Sequence, residues 1–411
     1  MGAPFLAALV FLLHPVQVES VAWVNGLSNL LFAFFSLSAF ILFILHRRLY
    51  GDIAPKGRRA AGGVLYAFSL AAYAFALLSK ETAVVLPVLL FSYSMLFERG
   101  SQGRLRRFPW LALAPYFAMT LGFLALRYAV LGNATMTGNW AGGAVPLVLT
   151  MLKAFTTYVR LALLPHPLSL EYLFPVKRMA DLEVLLGAVL LAGLCAAASR
   201  SRGRNPRLTL AALFFLVALL PVSNILPIET VLNERFLYFS LIGWGLAAAE
   251  ALVWVSGHGG VGTNTCRQVS VGDSSSRIAS SLEGAVARLF PAAVCACLCA
   301  AYAAKTIARN ETWKDTFSLA SENLKTCPQS SRLHYAMGKG MAQRGDWAGA
   351  IREYRAALAI EVYGGELEQA LAAVDPFDAA ELAKAAEYRK SLQVRVDRGQ
   401  TLYNIGSAYI R

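Results

Sequence analysis

Long apolar blocks, separated by short loops rich in arginine and lysine, dominate this chain. Of its 411 residues, 57% are hydrophobic and only 15% are charged, whereas soluble globular domains carry about 25% charged residues. A membrane-spanning helix needs about 20 mostly apolar residues. The pattern therefore predicts a polytopic helical membrane protein and excludes disordered, collagen-like and disulfide-scaffold classes. Eight blocks are predicted to span, at residues 21–45, 61–78, 82–97, 110–130, 182–198, 208–221, 236–255 and 289–307.

The basic residues indicate the orientation of these spans. The formal net charge is +13, which in a soluble protein would suggest nucleic acid, but here the cations are concentrated in loops between apolar blocks. The positive-inside rule assigns such loops to the cytoplasm. We therefore predict no nucleic-acid partner. The four basic loops lie at residues 47–59, 99–107, 200–207 and 256–288.

One more apolar segment, residues 146–164, is long enough to span. A span there would place the basic loop at residues 200–207 on the outer side, against the positive-inside rule. Lys153, Thr157 and Arg160 follow one another at helical spacing and form a polar stripe on one side of the segment. We therefore predict an amphipathic helix that lies on the outer interface of the membrane.

The composition becomes that of a soluble helical protein after residue 309. Within residues 331–362, Gly338, Ala350, Tyr354 and Ala357 have the spacing of a 34-residue tetratricopeptide repeat. Small Gly338 and Ala350 let two antiparallel helices approach, while Tyr354 and Ala357 fill the groove between them. A repeat of this kind is predicted here.

The predicted fold class is all-α: a polytopic membrane helix bundle, then an α-solenoid of tetratricopeptide repeats. The membrane domain is expected over residues 1–308 and the outward-facing repeats over residues 309–411. Residues 402–409 (LYNIGSAY) resemble the first helix of another repeat. Because one repeat cannot bury its own face, and because the first apolar block is short, we expect both ends of the sequence to be truncated.

Several ionisable residues fall in or beside the predicted outer loops. Such residues are costly near membrane depth unless they are paired or face a cavity, so they predict a polar cavity at the outer interface that accepts a lipid-linked anion. Lys80, Arg127 or Arg235 could pair with a phosphate, and Glu19 or Glu234 could position a hydroxyl or accept its proton. The candidate donor-pocket residues are His14, Glu19, Lys80, Glu81, Glu234 and Arg235.

Local explanations remain open for these residues. Lys80 and Glu81 could form an interfacial pair at a tight turn, and Glu234 and Arg235 a salt bridge at a helix start. His14, which precedes a proline, could simply end a helix. No metal site is predicted.

Four segments, in order along the chain, resemble the transmembrane and tetratricopeptide-repeat O-mannosyltransferases. The order of membrane domain and outward repeats is also similar to that family. The segments are residues 14–23 (HPVQVESVAW), 79–81 (SKE), 226–243 (LPIETVLNERFLYFSLIG) and 327–340 (CPQSSRLHYAMGKG).

The resemblance implies a GT-C-like membrane fold with dolichyl-phosphate-mannose as donor substrate and no covalently bound cofactor. It implies transfer of mannose to Ser or Thr of secretory-pathway proteins, with the acceptor polypeptide bound by the repeats. In GT-C enzymes the catalytic acids lie in the first outer loop, so the catalytic residues are unassigned here and expected upstream of Met1. Residues 25–29 (NGLSN) stand where relatives tend to carry an arginine and an acid.

Outward repeats imply the endoplasmic reticulum lumen, or the periplasm in a bacterium. Glycosylation sequons at Asn133 and Asn310 favour the former. Two other functional classes remain open. One is a membrane-anchored repeat scaffold without catalysis, and the other is a transporter, which would need broken helices with ions near the midplane.

Overall fold

The computed structural model describes residues 3–49, 56–98, 110–132, 143–172, 181–225, 228, 230–258 and 274–363. All regular elements within these ranges are helical, and short 3-10 turns at Val24–Gly26, Glu81–Val85, Leu220–Val222 and Glu234–Phe236 connect several of them. The α-helices are α1 (Ala3–Leu13), α2 (Gln17–Ala22), α3 (Leu27–Leu49), α4 (Lys56–Ser79), α5 (Leu86–Phe97), α6 (Trp110–Leu131), α7 (Ala144–Leu163), α8 (Leu182–Ser201), α9 (Pro206–Leu219), α10 (Leu237–His258), α11 (Ser274–Thr312), α12 (Thr316–Leu324), α13 (Ser331–Gln343) and α14 (Trp347–Tyr363).

The described residues contain six helices that are long and apolar enough to cross a membrane, so the chain is a multi-pass membrane protein. They differ in part from the eight predicted spans. Residues 82–97 and 208–221 belong to the shorter apolar helices Glu81–Phe97 and Pro206–Val222, and residues 289–307 fall within α11, whose first side chains lie outside the described set. The six are Val24–Leu49, Gly57–Ser79, Trp110–Leu131, Ala144–Leu163, Leu182–Ser201 and Glu234–Trp254.

Two ion pairs join helix termini at what we call the basic end of the bundle. Arg47, near the end of α3, donates to Glu98 after α5 at 2.8 Å. Arg207, in the first turn of α9, lies 3.4 Å from Glu250 of α10. Both arginines belong to loops predicted to be cytoplasmic. The whole second basic loop, and residues 50–55 and 259–273 of the first and fourth, lie outside the described residues.

The opposite termini meet at what we call the site end. Lys80, after α4, donates to the side chain of Asn29 at the start of α3. The ends of α1 and α11 also meet there, since the Thr306 hydroxyl donates to the carbonyl of Leu13 at 2.8 Å. The structure thus groups the predicted outer loops that it describes at one end of the bundle.

Helix α7 lies along the site end. Met151 contacts Asn224 after α9 at 3.7 Å, and Lys153 pairs with Glu183, in the first turn of α8, at 2.9 Å. Eleven residues after Met151, and so about 16 Å further along the helix, the carbonyl of Ala162 meets His14. Although α7 is long and apolar enough to span, these contacts with three different helix termini favour the interfacial position predicted from its polar stripe.

Close helix packing in the bundle depends on glycines in α10. A Cβ on Gly243 would lie 2.5 Å from the carbonyl oxygen of Ala211 in α9, and one on Gly245 would lie 2.7 Å from that of Ala7 in α1. Small residues let transmembrane helices approach closely. Two apolar clusters fill the interior, one among α3–α6, α9 and α10 and the other among α7, α9 and α10.

The tail begins with α12 and continues as a helical hairpin of α13 and α14. A Cβ on Gly338 would meet the ring of Tyr354 at 2.7 Å, while Ala350 and Ala357 are fully buried. This is the close approach expected from their spacing. Within residues 309–363 the structure contains this one hairpin and no solenoid of stacked repeats; residues 364–411, where another repeat helix is predicted, lie outside the described chain.

Candidate functional site

A short re-entrant segment places Glu19 inside the site end. Pro15 lies between α1 and α2, and the chain turns again at Gly26, where a Cβ would lie 2.3 Å from the carbonyl oxygen of Ser20. Only glycine allows this approach, which folds the 3-10 turn back onto α2. The Glu19 side chain is consequently fully buried.

Glu19 binds Arg235 through two contacts. One carboxylate oxygen accepts from the Arg235 guanidinium at 2.8 Å and the other from the Arg235 backbone N–H at 2.9 Å. Burial raises the pKa of Glu19, and the guanidinium acts against that shift. The guanidinium carbon lies 5.2 Å from the centre of the Trp23 ring, and 22% of the Arg235 side chain remains exposed. Arg235 is therefore held in place while part of it faces outward.

Lys80 adds a second cation to the same region. Its ammonium donates to Asn29. Burial lowers the pKa of Lys80 to about 8; nearby Glu81 and Glu19 oppose this effect and the positive charge of Arg235 adds to it. Glu81, Arg235 and Glu19 all act on the Lys80 ammonium, so Lys80 shares the electrostatic environment of the Glu19–Arg235 pair.

Glu81 lies at the margin of this cluster. Arg127 of α6 lies 3.9 Å from its carboxylate, and about half of the Glu81 side chain is exposed. Glu81 therefore lies at the site end, as predicted for a donor-pocket candidate. Its long, half-exposed ion pair with Arg127 contributes little to stability.

His14 is fully buried and joins helix ends. One ring nitrogen meets the carbonyl of Ala162 at 3.1 Å, the other accepts from the backbone N–H of Val16, and the ring packs edge-on against Tyr302. Burial lowers the pKa of His14 to about 4, so the ring is neutral at pH 7. These contacts use both nitrogens and support a structural role.

Glu234 precedes Arg235 but faces a different set of partners. One carboxylate oxygen accepts from the Tyr172 hydroxyl at 2.9 Å and from the backbone N–H of Ser169, and Arg309 of α11 lies 3.6 Å away. The local Glu234–Arg235 salt bridge considered above is not among the ion pairs of the described residues. The second Glu234 oxygen is buried without a hydrogen-bond partner.

Three curated proteins illustrate what this chain is similar to. Protein O-mannosyl-transferase F38B6.6 of Caenorhabditis elegans is 24% identical over 87% of this chain and 46% of its own length. Protein O-mannosyl-transferase TMTC4 of Homo sapiens is 25% identical, over 86% of this chain and 48% of its own length. Protein O-mannosyl-transferase TMTC1 of Homo sapiens is 24% identical, over 87% of this chain and 42% of its own length. No protein-family model matches the chain, and no solved structure matches it significantly.

The chain is a distant homologue of the TMTC protein O-mannosyl-transferases. This confirms the resemblance noted in the sequence. The chain spans about half the length of the curated relatives it matches.

Sequence reasoning missed the partners that hold these side chains. Asn29, which binds Lys80, lies within residues 25–29, where the resemblance led us to expect charged side chains. Arg309 could have been suspected because it is a charge at the end of a predicted span. The described part of the chain contains no cluster of three metal-binding side chains.

Proposed function

We propose that this chain forms the donor-binding part of a membrane glycosyltransferase that moves mannose from a dolichyl-phosphate carrier to Ser or Thr hydroxyls of proteins. The observation that carries the proposal is the position of Arg235, fixed by Glu19 and stacked on Trp23, within the electrostatic reach of Lys80. Its distant relatives are named protein O-mannosyl-transferases, which supports the sugar and the protein acceptor.

The two cations suit the phosphate of a lipid-linked donor. Hydrogen bonds between charged groups are about twice as strong as neutral ones, and Arg235 keeps part of its guanidinium accessible. Since Glu19 and Trp23 already fix its orientation, little rearrangement is needed when an anion binds. Preorganised charge of this kind is an effective means of stabilising a leaving group.

In the proposed reaction, an acceptor hydroxyl oxygen attacks the anomeric carbon of the donor. The bond from that carbon to the phosphate oxygen breaks, and the phosphate leaves with the electron pair, stabilised by Lys80 and Arg235. The hydroxyl proton passes to a carboxylate base, and the anomeric configuration is inverted. Glu19 is committed to Arg235, so we assign it to shaping the pocket and leave the base unassigned.

The tail is proposed to bind the acceptor polypeptide. The Gly338–Tyr354 packing and the buried Ala350 support a tetratricopeptide-repeat hairpin, and hence a repeat domain from residue 309 to 411 after a membrane domain of residues 1–308. We propose the endoplasmic reticulum lumen as compartment. Asn310 of the second sequon is exposed at the site end, which agrees with that placement, while Asn133 lies outside the described residues.

Replacement of Lys80 by Met should weaken donor binding by about tenfold or more, because it removes a cation while keeping the length of the side chain. Binding of radiolabelled dolichyl-phosphate mannose to the full chain in nanodiscs measures the effect. Arg207→Met, which removes an exposed cation at the basic end, is the matched control and should bind the donor like the unaltered chain.

Equal affinity of the Lys80→Met and Arg207→Met variants would contradict the assignment of the donor site. Absence of donor binding by the unaltered, folded chain would instead favour the alternative function, a non-catalytic membrane-anchored scaffold.

A further inference from the structure

A cleft of about 540 Å³, lined about equally by polar and apolar surface, lies between α7 and the turn that joins α12 to α13. Its volume is within the ~300–1,000 Å³ typical of ligand-binding clefts. Lys153, Thr157 and Arg160, the polar stripe of α7, line one wall, and residues 326–329 of the tail line the other. The stripe that was predicted to face water at the membrane surface therefore faces this cleft.

The tail wall of the cleft is attached to the bundle by the loop that follows α7. The backbone N–H of Leu170 donates to Asn323 of α12 at 2.6 Å, and the Cys327 thiol donates to the carbonyl of Glu171 at 2.9 Å. The hydroxyl of Ser330, at the start of α13, donates to the Glu171 carboxylate. These contacts hold the two walls in register without filling the space between them.

The cleft leads towards the proposed donor site. Tyr172 lines it, and the hydroxyl of the same residue donates to Glu234 at 2.9 Å. Glu234 is adjacent in the chain to Arg235, which is bound to Glu19. Tyr172 therefore links the cleft to Glu234, the residue that precedes Arg235.

The lining indicates the chemistry of the occupant. Hydroxyl and amide groups of Thr157, Thr326 and Gln329 suit the alternating N–H and C=O groups of an extended peptide, and Pro167 and Pro328 offer apolar surface to its side chains. Lys153 is already paired with Glu183 at 2.9 Å, so Arg160 supplies the unbalanced positive charge of the lining. A peptide that carries a carboxylate is therefore favoured electrostatically.

We propose that this cleft binds an extended, acidic, Ser- and Thr-containing segment of the acceptor polypeptide and holds it beside the donor site. The proposal rests on the proposed function, and it assigns acceptor recognition to the junction of α7 with the tail in addition to the repeats.

Filling the cleft from either wall should weaken peptide binding. Thr157→Trp fills it from α7 and Gln329→Trp from the tail, so that at least one variant should fold normally. The probe is a fluorescein-labelled 12-residue peptide of Thr, Ser, Val and Asp, titrated against the full chain in nanodiscs. Both variants should bind about tenfold more weakly or worse, whereas Val148→Trp, at an exposed position elsewhere on α7, should bind like the unaltered chain.

Donor binding, measured on the same samples, separates this inference from the proposed function. Unchanged peptide affinity in a folded Thr157→Trp or Gln329→Trp variant would overturn the cleft as peptide site while leaving donor binding intact. Loss of donor binding with unchanged peptide binding would also overturn it and would assign the cleft to the lipid-linked sugar. Peptide binding that depends on Thr157 in a chain that binds no donor would support the cleft and refute the transferase.

Discussion

At the scale of single residues, the site end shows how similar-looking charges take different roles. Glu19 and Glu234 are both fully buried, yet Glu19 holds Arg235 while Glu234 binds the loop after α7. His14 and Lys80 both lie beside helix ends, but only Lys80 belongs to the cationic cluster. The residue types were enough to select these candidate site residues. The role of each depends on the hydrogen-bond and ion-pair partners that the fold gives it.

Donor binding should weaken as the pH rises from 7 to 9. Burial lowers the pKa of Lys80 from 10.5 to about 8, so the ammonium charge is present below that pH and is lost above it. The donor phosphodiester keeps its single negative charge throughout this range. The dissociation constant for dolichyl-phosphate mannose, measured as a function of pH, should therefore rise with a midpoint near 8.

The Lys80→Arg variant provides the control for this titration. A guanidinium stays protonated up to a pH of about 12, so this variant should bind the donor with an affinity that is flat between pH 7 and 9. The same decline in both proteins would show that another group titrates and would remove Lys80 from the phosphate site.

At the scale of helices, length and composition admit α7 as a span, but its contacts favour a position along the site end. Met151, Lys153 and Ala162 each touch a different helix terminus there. The amphipathic stripe could be recognised from spacing alone, but hydropathy does not distinguish a spanning helix from one lying on the surface.

Helix packing should be sensitive to side-chain size at Gly243. The Gly243→Leu variant should be less stable by about 1–3 kcal/mol or more, since even a Cβ there would lie 2.5 Å from the α9 backbone. Thermal unfolding in detergent, followed by tryptophan fluorescence, measures the effect. Gly193→Leu in α8 is the matched control because a Cβ at that position meets nothing within 4 Å; similar melting temperatures for the two variants would disprove the close α9–α10 contact.

At the scale of the whole molecule, the bundle separates two chemically different ends. At the basic end, Arg47 and Arg207 form ion pairs with Glu98 and Glu250, respectively. Glu19 and Lys80 lie at the site end, where the tail is also attached through Asn323. The orientation of the spans therefore decides whether the site and the tail face the same compartment as the acceptor proteins.

Single cysteines introduced at exposed positions should report this orientation. In a background without other cysteines, Gly203→Cys lies between α8 and α9 at the basic end, and Lys314→Cys lies at the start of the tail. A membrane-impermeant maleimide applied to sealed microsomes should label position 203 from the cytoplasmic side and position 314 only after permeabilisation. Labelling of both from one side, or in the reverse order, would contradict the predicted topology and the luminal transferase.

The sequence by itself determined the helical class, the multi-pass membrane character and the alternation of basic and non-basic connections. These properties are local, because apolar length and loop charge can be read within one segment. Only the tertiary structure decided that Glu19 pairs with Arg235, 216 residues further along the chain, and that Glu234 faces Ser169 and Tyr172 instead. Those choices depend on how the helix ends assemble, since burial and pairing of a charge are properties of the neighbours that the fold brings to it.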